Sequence, residues 1–210
     1  MEQAIQPVPG KLVPQGEITF EEFLQWSDED THAEWVGGKV RVKMPASRVH
    51  QDCNGFLYTL LKLWCDHYDA GKVFHPPFPV HLVLPDGRAV GREPDLVVVL
   101  KEHLDRLQEL HVEGAPDLVV EIVSKGSRGE DRGEKFYEYE AAGVPEYWII
   151  DPDRQHAEFY QLQENGVYSM VFSSSGGVYR SRVLNGFWLH VEWCWQQPPV
   201  WEALRAWGLV

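Results

Sequence analysis

The pattern of apolar and polar positions predicts a chain built around short buried strands. Three stretches are almost continuously apolar, as is typical of strands covered on both faces: DLVVVL at 95–100, DLVVEIV at 117–123 and EYWIID at 146–151. The segment EDRGEKFYEYEAA, at 130–142, lies between the last two and predicts one helix that is closed by Gly143. This strand, helix, strand order indicates an α/β fold with a mixed sheet.

The flanking sequence predicts further helices and antiparallel hairpins. Thr19 and Glu22 have the spacing of a capping box, so a short helix should run to about Trp26. The stretch AEWVGGKVRVKM alternates around two glycines and predicts a β-hairpin, and an amphipathic helix should follow from about 49 to 68. We expect residues 17–210 to form a single domain, preceded by a flexible arm at residues 1–16.

Charge and cysteine content restrict the class of protein. The 210-residue chain carries a net charge of −13. This charge argues against a broad basic face for nucleic acid, but it allows a local basic site or carboxylates that a metal neutralises. No apolar run approaches the ~18 residues of a membrane span, and the first residues lack the pattern of a signal peptide. With three widely spaced cysteines and no CxxC pair, we expect a cytoplasmic protein with reduced thiols and no membrane contact.

One carboxylate interrupts the most apolar part of the chain. Glu121 lies between Val120 and Ile122, and burying an unpaired charge is very costly. Because strand side chains alternate, positions 117, 119, 121 and 123 share one face, and positions 118, 120 and 122 pack the other. Glu121 therefore needs a cation on its own side, which either a buried Arg or Lys or a metal ion would supply.

A second carboxylate, Asp95, begins the preceding apolar run. If the two strands are neighbours, Asp95 and Glu121 converge, and adjacent carboxylates repel unless a cation lies between them. Oxygen ligands of this kind select hard cations, so the pair predicts a site for Mg²⁺ or Mn²⁺.

The arrangement of these residues resembles that of the PD-(D/E)xK nucleases, in which a Pro-Asp pair is followed by an acid, one spacer and a lysine. Here Pro94-Asp95 precedes Glu121-Ile122-Val123. More closely, the chain resembles a large family of restriction-endonuclease-like bacterial proteins, in the segments 117–124, 131–135 and 143–152 and over roughly residues 17–192. The resemblance implies a restriction-endonuclease-like core, with a mixed β-sheet flanked by helices and extra antiparallel hairpins. It also implies a metal site, and the leading hypothesis is a metal-dependent endonuclease that acts on DNA.

The lysine of the superfamily motif is absent, because Val123 stands where it would lie. Two other lysines are candidates for its role. Lys135 comes four residues after Asp131, so one helix would put both on one face, and the resemblance supports Lys135. Lys125 has the parity of Glu121 but lies beyond the expected strand end, in a glycine-containing loop.

The expected catalytic residues are therefore Asp95, Glu121 and Lys135, with Asp95 and Glu121 as the metal ligands. In such a site the metal lowers the pKa of a bound water, and the lysine orients that water and neutralises the developing oxyanion. The candidates for supporting roles are Glu34, His50, Asp117, Asp131 and Lys125.

The basic residues near this motif predict a patch that faces phosphate. Four of them lie between 125 and 135, and Arg88 and Arg92 precede them. The alternative is a catalytically inactive nuclease fold that binds nucleic acid or protein, and both Val123 and the acidic composition favour it. A homodimer is expected only by analogy with nucleases that cut both strands.

Overall fold

A computed structural model describes residues 12–124 and 126–210. Its helices are α1 (Phe20–Trp26), α2 (Arg48–Tyr68), α3 (Arg128–Asp131), α4 (Glu134–Ala142), α5 (Trp193–Gln196) and α6 (Val200–Ala206), with a 3₁₀ helix at Lys101–Arg106. The strands are β1 (Ala33–Val36), β2 (Lys39–Val42), β3 (Gly71–Phe74), β4 (Val80–Val83), β5 (Ala89–Arg92), β6 (Leu96–Leu100), β7 (Val112–Glu113), β8 (Leu118–Ile122), β9 (Glu146–Asp151), β10 (His156–Leu162), β11 (Tyr168–Ser174), β12 (Val178–Arg180) and β13 (Trp188–His190). No helix in these ranges is long and apolar enough to cross a bilayer.

Local signals in the sequence account for the first elements. The Thr19 hydroxyl accepts from the Glu22 backbone N–H, and the Glu22 carboxylate accepts from the Thr19 N–H, which confirms the capping box of α1. Gly37 and Gly38 both have positive φ, 58° and 76°, as a tight hairpin turn requires. Of the predicted flexible arm, residues 1–11 lie outside the described residues, and the Leu12 carbonyl accepts a hydrogen bond from the Trp26 indole (2.9 Å).

The strands form two main sheets and a ribbon. The five-stranded sheet has the order β2-β1-β5-β4-β7, the six-stranded sheet has the order β11-β10-β9-β8-β6-β3, and β12 pairs with β13. Most pairs are antiparallel, whereas β4–β7 and β8–β9 are parallel. The connection between β8 and β9 runs through α3 and α4, as parallel neighbours require. The predicted mixed sheet with helices and hairpins is confirmed.

The six-stranded sheet separates two apolar cores. On one face, Leu118, Val120 and Ile122 pack with the apolar face of α2 and with C-terminal residues. On the other face, Val119 and Val123 pack with residues of α4 and of the five-stranded sheet. The alternation that the sequence predicted for β8 is therefore confirmed, and it directs Glu121 toward the space between the two sheets.

The helix predicted over residues 130–142 is broken into two. α3 ends at Asp131 and α4 begins at Glu134. Gly133 lies at the break, and a Cβ atom there would be 2.7 Å from the Gly129 carbonyl oxygen. The chain turns at a glycine, whose lack of a side chain allows this approach, so Asp131 and Lys135 belong to different helices.

Candidate active site

Asp95 and Glu121 lie on neighbouring antiparallel strands. β6 pairs with β8 in the register Leu96 to Val120, and the same register continued by one residue puts Asp95 opposite Glu121. The Asp95 carboxylate accepts a hydrogen bond from the Ile122 backbone N–H at 2.7 Å. Both carboxylates are buried, with residue exposures of 7% and 2%.

Lys135 supplies the cation that Glu121 needs. Its ammonium nitrogen lies 2.9 Å from a Glu121 carboxylate oxygen, 3.3 Å from Glu34 and 3.4 Å from Asp131. The other Glu121 oxygen accepts from the Tyr139 hydroxyl at 2.9 Å. The break at Gly133 has not separated Lys135 from Asp131, because both helices face the same space. A buried ion pair would give Glu121 a purely structural role, and its partner in this pair is the same lysine that is expected to be catalytic.

Glu34 connects the two sheets at this point. It projects from β1 of the five-stranded sheet and contacts Lys135, whereas its second oxygen accepts from the fully buried Arg92 at 2.7 Å. Arg92 also pairs with three glutamates of the α3–α4 region: Glu130, Glu134 and Glu138. Burial opposes ionisation of Glu34, but Lys135, Lys43 and Arg92 outweigh it and lower the Glu34 pKa far below its usual range.

His50 and Lys43 lie on the side of Asp95. His50 Nε2 lies 3.2 Å from an Asp95 oxygen, and the His50 residue is held by the first turn of α2, whose N-cap is Ser47. Lys43 Nζ lies 3.6 Å from Glu34 and donates to the Glu93 carbonyl at 2.5 Å. Burial opposes ionisation of Asp95, but the hydrogen bond from His50 and the charge of Lys43 outweigh it and lower the Asp95 pKa.

The environments of the two central carboxylates drive their pKa values apart. Burial raises the pKa of Glu121 to about 8, although Lys135 and Lys43 oppose this shift. Burial also raises the pKa of Asp131, with Lys135 again opposing. Lys135 itself has a raised pKa, because its three carboxylate neighbours outweigh its own burial. Burial therefore favours the neutral form of Glu121, whereas His50 and Lys43 favour the ionised form of Asp95.

The stability of the metal-free protein is expected to fall as pH rises from about 5 to about 8. The folded-state pKa of Glu121, about 8, exceeds its ordinary value of 4.5, so between these values the folded state binds the proton more tightly than the unfolded state. Stability is then lost with rising pH, by at most about 1.4 kcal/mol per pH unit for one proton. Urea denaturation in EDTA would measure this slope. Glu121→Gln, neutral at every pH, should show a flatter dependence, and equal slopes in both proteins would contradict the assignment.

A comparison with protein families gives a match that covers the site. A sequence profile described as "Uma2: Putative restriction endonuclease" matches residues 20–192, which include all the site residues named above. The chain belongs to the Uma2 family. No curated protein matches the sequence.

The fold of this Uma2 protein also resembles a solved structure. A crystal structure from Anabaena variabilis, described as a "putative nuclease belonging to DUF820", superposes with a TM-score of 0.68 at 18% identity. The match covers 85% of the present chain and 98% of the other. At this identity the likeness concerns the fold, and it confirms the nuclease-like architecture.

Most of the residues predicted for the candidate site converge, but Asp117 does not. Asp95, Glu121, Lys135, Glu34, His50 and Asp131 lie within one cluster, as the contacts above show. Asp117 lies four residues, about 13 Å, from Glu121 along the strand, where it accepts from the Leu100 N–H at 2.8 Å and contacts His103 at 2.7 Å. The strand parity was right, but Asp117 fastens the 3₁₀ helix to the far end of β8. Lys125 lies outside the described residues.

Three arginines of the predicted phosphate-facing patch are engaged in ion pairs with buried carboxylates. Arg128 pairs with Asp151 at 3.1 Å, and Arg132 pairs with Glu158 at 2.6 Å. Arg92 is fully buried among glutamates. These cations compensate carboxylates that the sheets bury, so their charge is already neutralised within the fold.

Sequence reasoning missed Lys43 and Tyr139. Tyr139 donates to Glu121 from α4, and only the packing of α4 on the sheet reveals this. The sequence did contain a pattern that indicates Lys43. In KVRVK at 39–43, basic and apolar residues alternate, and Arg41 lies opposite Glu34 across the hairpin. That alternation would have directed Lys43 and Glu34 to the same side of the sheet.

Asp95 and Glu121 are oxygen donors of the kind that a hard divalent cation uses. Around them, the carboxylates of Glu34 and Asp131 face the cations Lys135, Lys43 and Arg92. Among residues 12–124 and 126–210, no group of three or more His, Cys, Asp or Glu side chains is arranged to hold a metal ion. Mg²⁺ commonly uses one or two protein carboxylates and keeps several waters, so two carboxylates are a sufficient protein contribution.

Proposed function

We propose that this Uma2 protein is a metal-dependent endonuclease that hydrolyses phosphodiester bonds in DNA. The observation that carries the proposal is the position of Lys135. Its ammonium nitrogen lies 2.9 Å from Glu121, and Glu121 is on the strand that neighbours Asp95. A nuclease of this class needs an acid pair and a lysine within reach of one water. The first turn of α4 supplies a lysine, whereas the strand has Val123 at the position of the superfamily lysine.

The side chains of the cluster divide the work between them. Asp95 and Glu121 would hold Mg²⁺ or Mn²⁺, which supplies an activated water and stabilises the charge on the phosphate when it is bound. Lys135 orients the attacking water and neutralises charge on the phosphoryl oxygen in the transition state. Glu34, held ionised by Arg92, keeps Lys135 in place. His50 fixes the orientation of Asp95.

Proton movement follows from the raised pKa of Glu121. A metal ligand must be deprotonated, so loading the site releases the Glu121 proton at neutral pH. We expect Mn²⁺ affinity to increase as pH rises from about 6 to about 8. Isothermal titration in two buffers of different ionisation enthalpy would count the released proton. Mn²⁺ binding without proton release at pH 7 would contradict this role for Glu121.

A non-catalytic module is the second candidate, because a specific observation favours it. The Lys135 side chain is only 3% exposed and already contacts three carboxylates, an arrangement that a purely structural ion cluster would also have. An inactivated nuclease fold that binds nucleic acid or protein would keep this cluster for stability alone. The two candidate functions differ in whether the protein cleaves nucleic acid when a metal ion is added.

The test is a nicking reaction on supercoiled plasmid with Mg²⁺ or Mn²⁺ and a metal-free control. The proposed function predicts metal-dependent conversion to nicked circles by the wild type. We expect Lys125→Ala to weaken DNA binding in a salt-dependent way and only to reduce cleavage, whereas loss of the Lys135 ammonium should abolish cleavage. The reverse outcome would assign the catalytic lysine to position 125. A wild type that cuts neither DNA nor RNA with any metal would make the non-catalytic module the better description.

A further inference from the structure

An edge strand of the five-stranded sheet carries basic residues along one face. The sequence reads KVRVK from 39 to 43, and alternation puts Lys39, Arg41 and Lys43 on the same face of β2. Hairpin pairing continues past the end of β2, because the Lys43 backbone N–H donates to the His32 carbonyl at 2.9 Å. Successive basic residues are therefore about 6.6 Å apart along the strand. In a chain of net charge −13, these three cations lie close together along one strand.

The inner end of the row lies in the candidate active site. Lys43 contacts Glu34 at 3.6 Å, and Glu34 contacts Lys135 at 3.3 Å. The Lys43 side chain is 29% exposed, whereas that of Lys135 is 3% exposed. Lys43 is thus the more open of these two lysines, and a phosphate that approaches from solvent meets Lys43 first.

The outer end of the row borders a concave surface. A cavity of about 480 Å³ lies beside the β1–β2 hairpin and the first turn of α4, and Lys39, Arg41 and Arg88 are among the residues that line it, together with Glu17 and Glu134. Arg41 pairs with Glu134 at 2.7 Å and with Glu130 at 3.5 Å, and its own side chain is 49% exposed. Both glutamates also pair with the buried Arg92. A phosphate can therefore compete for Arg41 while Glu130 and Glu134 keep Arg92 as a partner.

We propose that Lys39, Arg41 and Lys43 form a phosphate-binding row that holds the backbone of a nucleic acid and leads it toward Asp95 and Glu121. This inference rests on the proposed function only for the reaction at the inner end of the row. Binding along the row requires no cleavage, because it uses charges on β2 alone. Phosphate contacts position a substrate without reading its sequence, so the row fits DNA and RNA alike.

The test is fluorescence anisotropy with labelled single-stranded DNA, single-stranded RNA and duplex DNA, in EDTA, over a range of salt concentrations. Lys39→Ala and Lys43→Gln should each weaken binding of the preferred probe. Each should also reduce the slope of log affinity against log salt, by about 0.7 for a single strand or about 0.9 for a duplex. Lys39 is exposed, so its replacement leaves the fold intact.

Lys72→Ala is the matched control. Lys72 is an exposed lysine inside β3, the edge strand of the other sheet, so it repeats the charge change away from the row. It should leave affinity and slope unchanged. Wild-type slopes in both Lys39→Ala and Lys43→Gln would overturn the row, even if the protein proves to be a nuclease. Slopes reduced as expected in a protein that cuts no substrate would support the row and reject the nuclease.

Discussion

Replacing Lys135 by methionine is expected to abolish metal-dependent cleavage and to lower the free energy of unfolding by roughly 3–5 kcal/mol near pH 8. Methionine has nearly the same side-chain volume as lysine, but it lacks the ammonium group that contacts Glu34, Glu121 and Asp131. All three of these carboxylates are buried. Uncompensated buried carboxylates then either stay charged at high cost or take up protons. Because Lys135 is buried in contact with all three carboxylates, its removal should affect stability as well as cleavage.

The pH dependence distinguishes loss of charge from loss of packing. Protonation relieves the repulsion among the three carboxylates, so the stability deficit of Lys135→Met should shrink as pH falls from about 8 to about 5.5. Urea denaturation followed by circular dichroism measures it, and cleavage is assayed where the variant is shown to be folded. Lys62→Met is the matched control, since Lys62 forms an exposed i,i+4 pair with Asp66, and it should leave the unfolding midpoint unchanged. A deficit that is constant with pH would indicate packing instead.

Glu121→Gln is expected to reduce Mn²⁺ affinity strongly and cleavage by about 10³-fold or more. The change replaces a charged metal ligand with a neutral one of the same shape, and a metal contributes several kcal/mol to the transition state of phosphoryl transfer. Tyr139 can still donate to the amide oxygen, and Lys135 keeps Glu34 and Asp131 as partners. The fold should therefore survive, and isothermal titration with Mn²⁺ together with plasmid nicking measures the effect.

Glu146→Gln provides the comparison for this experiment. Glu146 is a fully buried carboxylate on β9, the next strand, where it accepts hydrogen bonds from Trp148, Tyr179 and Ser181. It lies outside the cluster of Lys135, so its replacement should affect stability but leave Mn²⁺ affinity unchanged. Equal Mn²⁺ affinity in the wild type and Glu121→Gln would identify Glu121 as the partner of a structural ion pair only.

Strand periodicity correctly predicted the face of the strand on which Glu121 lies. An acid inside the run DLVVEIV must point away from Leu118 and Val120, and the alternation of apolar residues already fixed that direction. The pairing of β6 with β8 could be proposed because two similar buried runs carry an acid each. These conclusions depend on backbone geometry within one element, which a sequence displays directly.

The remainder depended on contacts between distant elements. Gly133 occurs inside a pattern that otherwise reads as one helix, and the close approach to Gly129 that requires it is visible only in three dimensions. The basic residues between 128 and 135 looked like a free patch because their carboxylate partners, Asp151 and Glu158, come from β9 and β10. Asp117 had the correct face but the wrong end of the strand. The parity of a residue in a strand predicts the face on which its side chain lies. Its distance from other site residues depends on how the two sheets pack.

The contacts of Glu34 also impose an order on the synthesis of the chain. Glu34 leaves the ribosome about a hundred residues before Lys135, the lysine that it contacts, and well before Arg92. Domains emerge from the N-terminus first, at about 5–20 residues per second, so Glu34 is exposed for several seconds with Lys43 beside it but without Arg92 and Lys135. During that interval Glu34 faces water, where its charge is fully hydrated. Packing of the two sheets therefore follows emergence of α4, and a nascent chain truncated before Lys135 should be sensitive to protease and unable to cut nucleic acid.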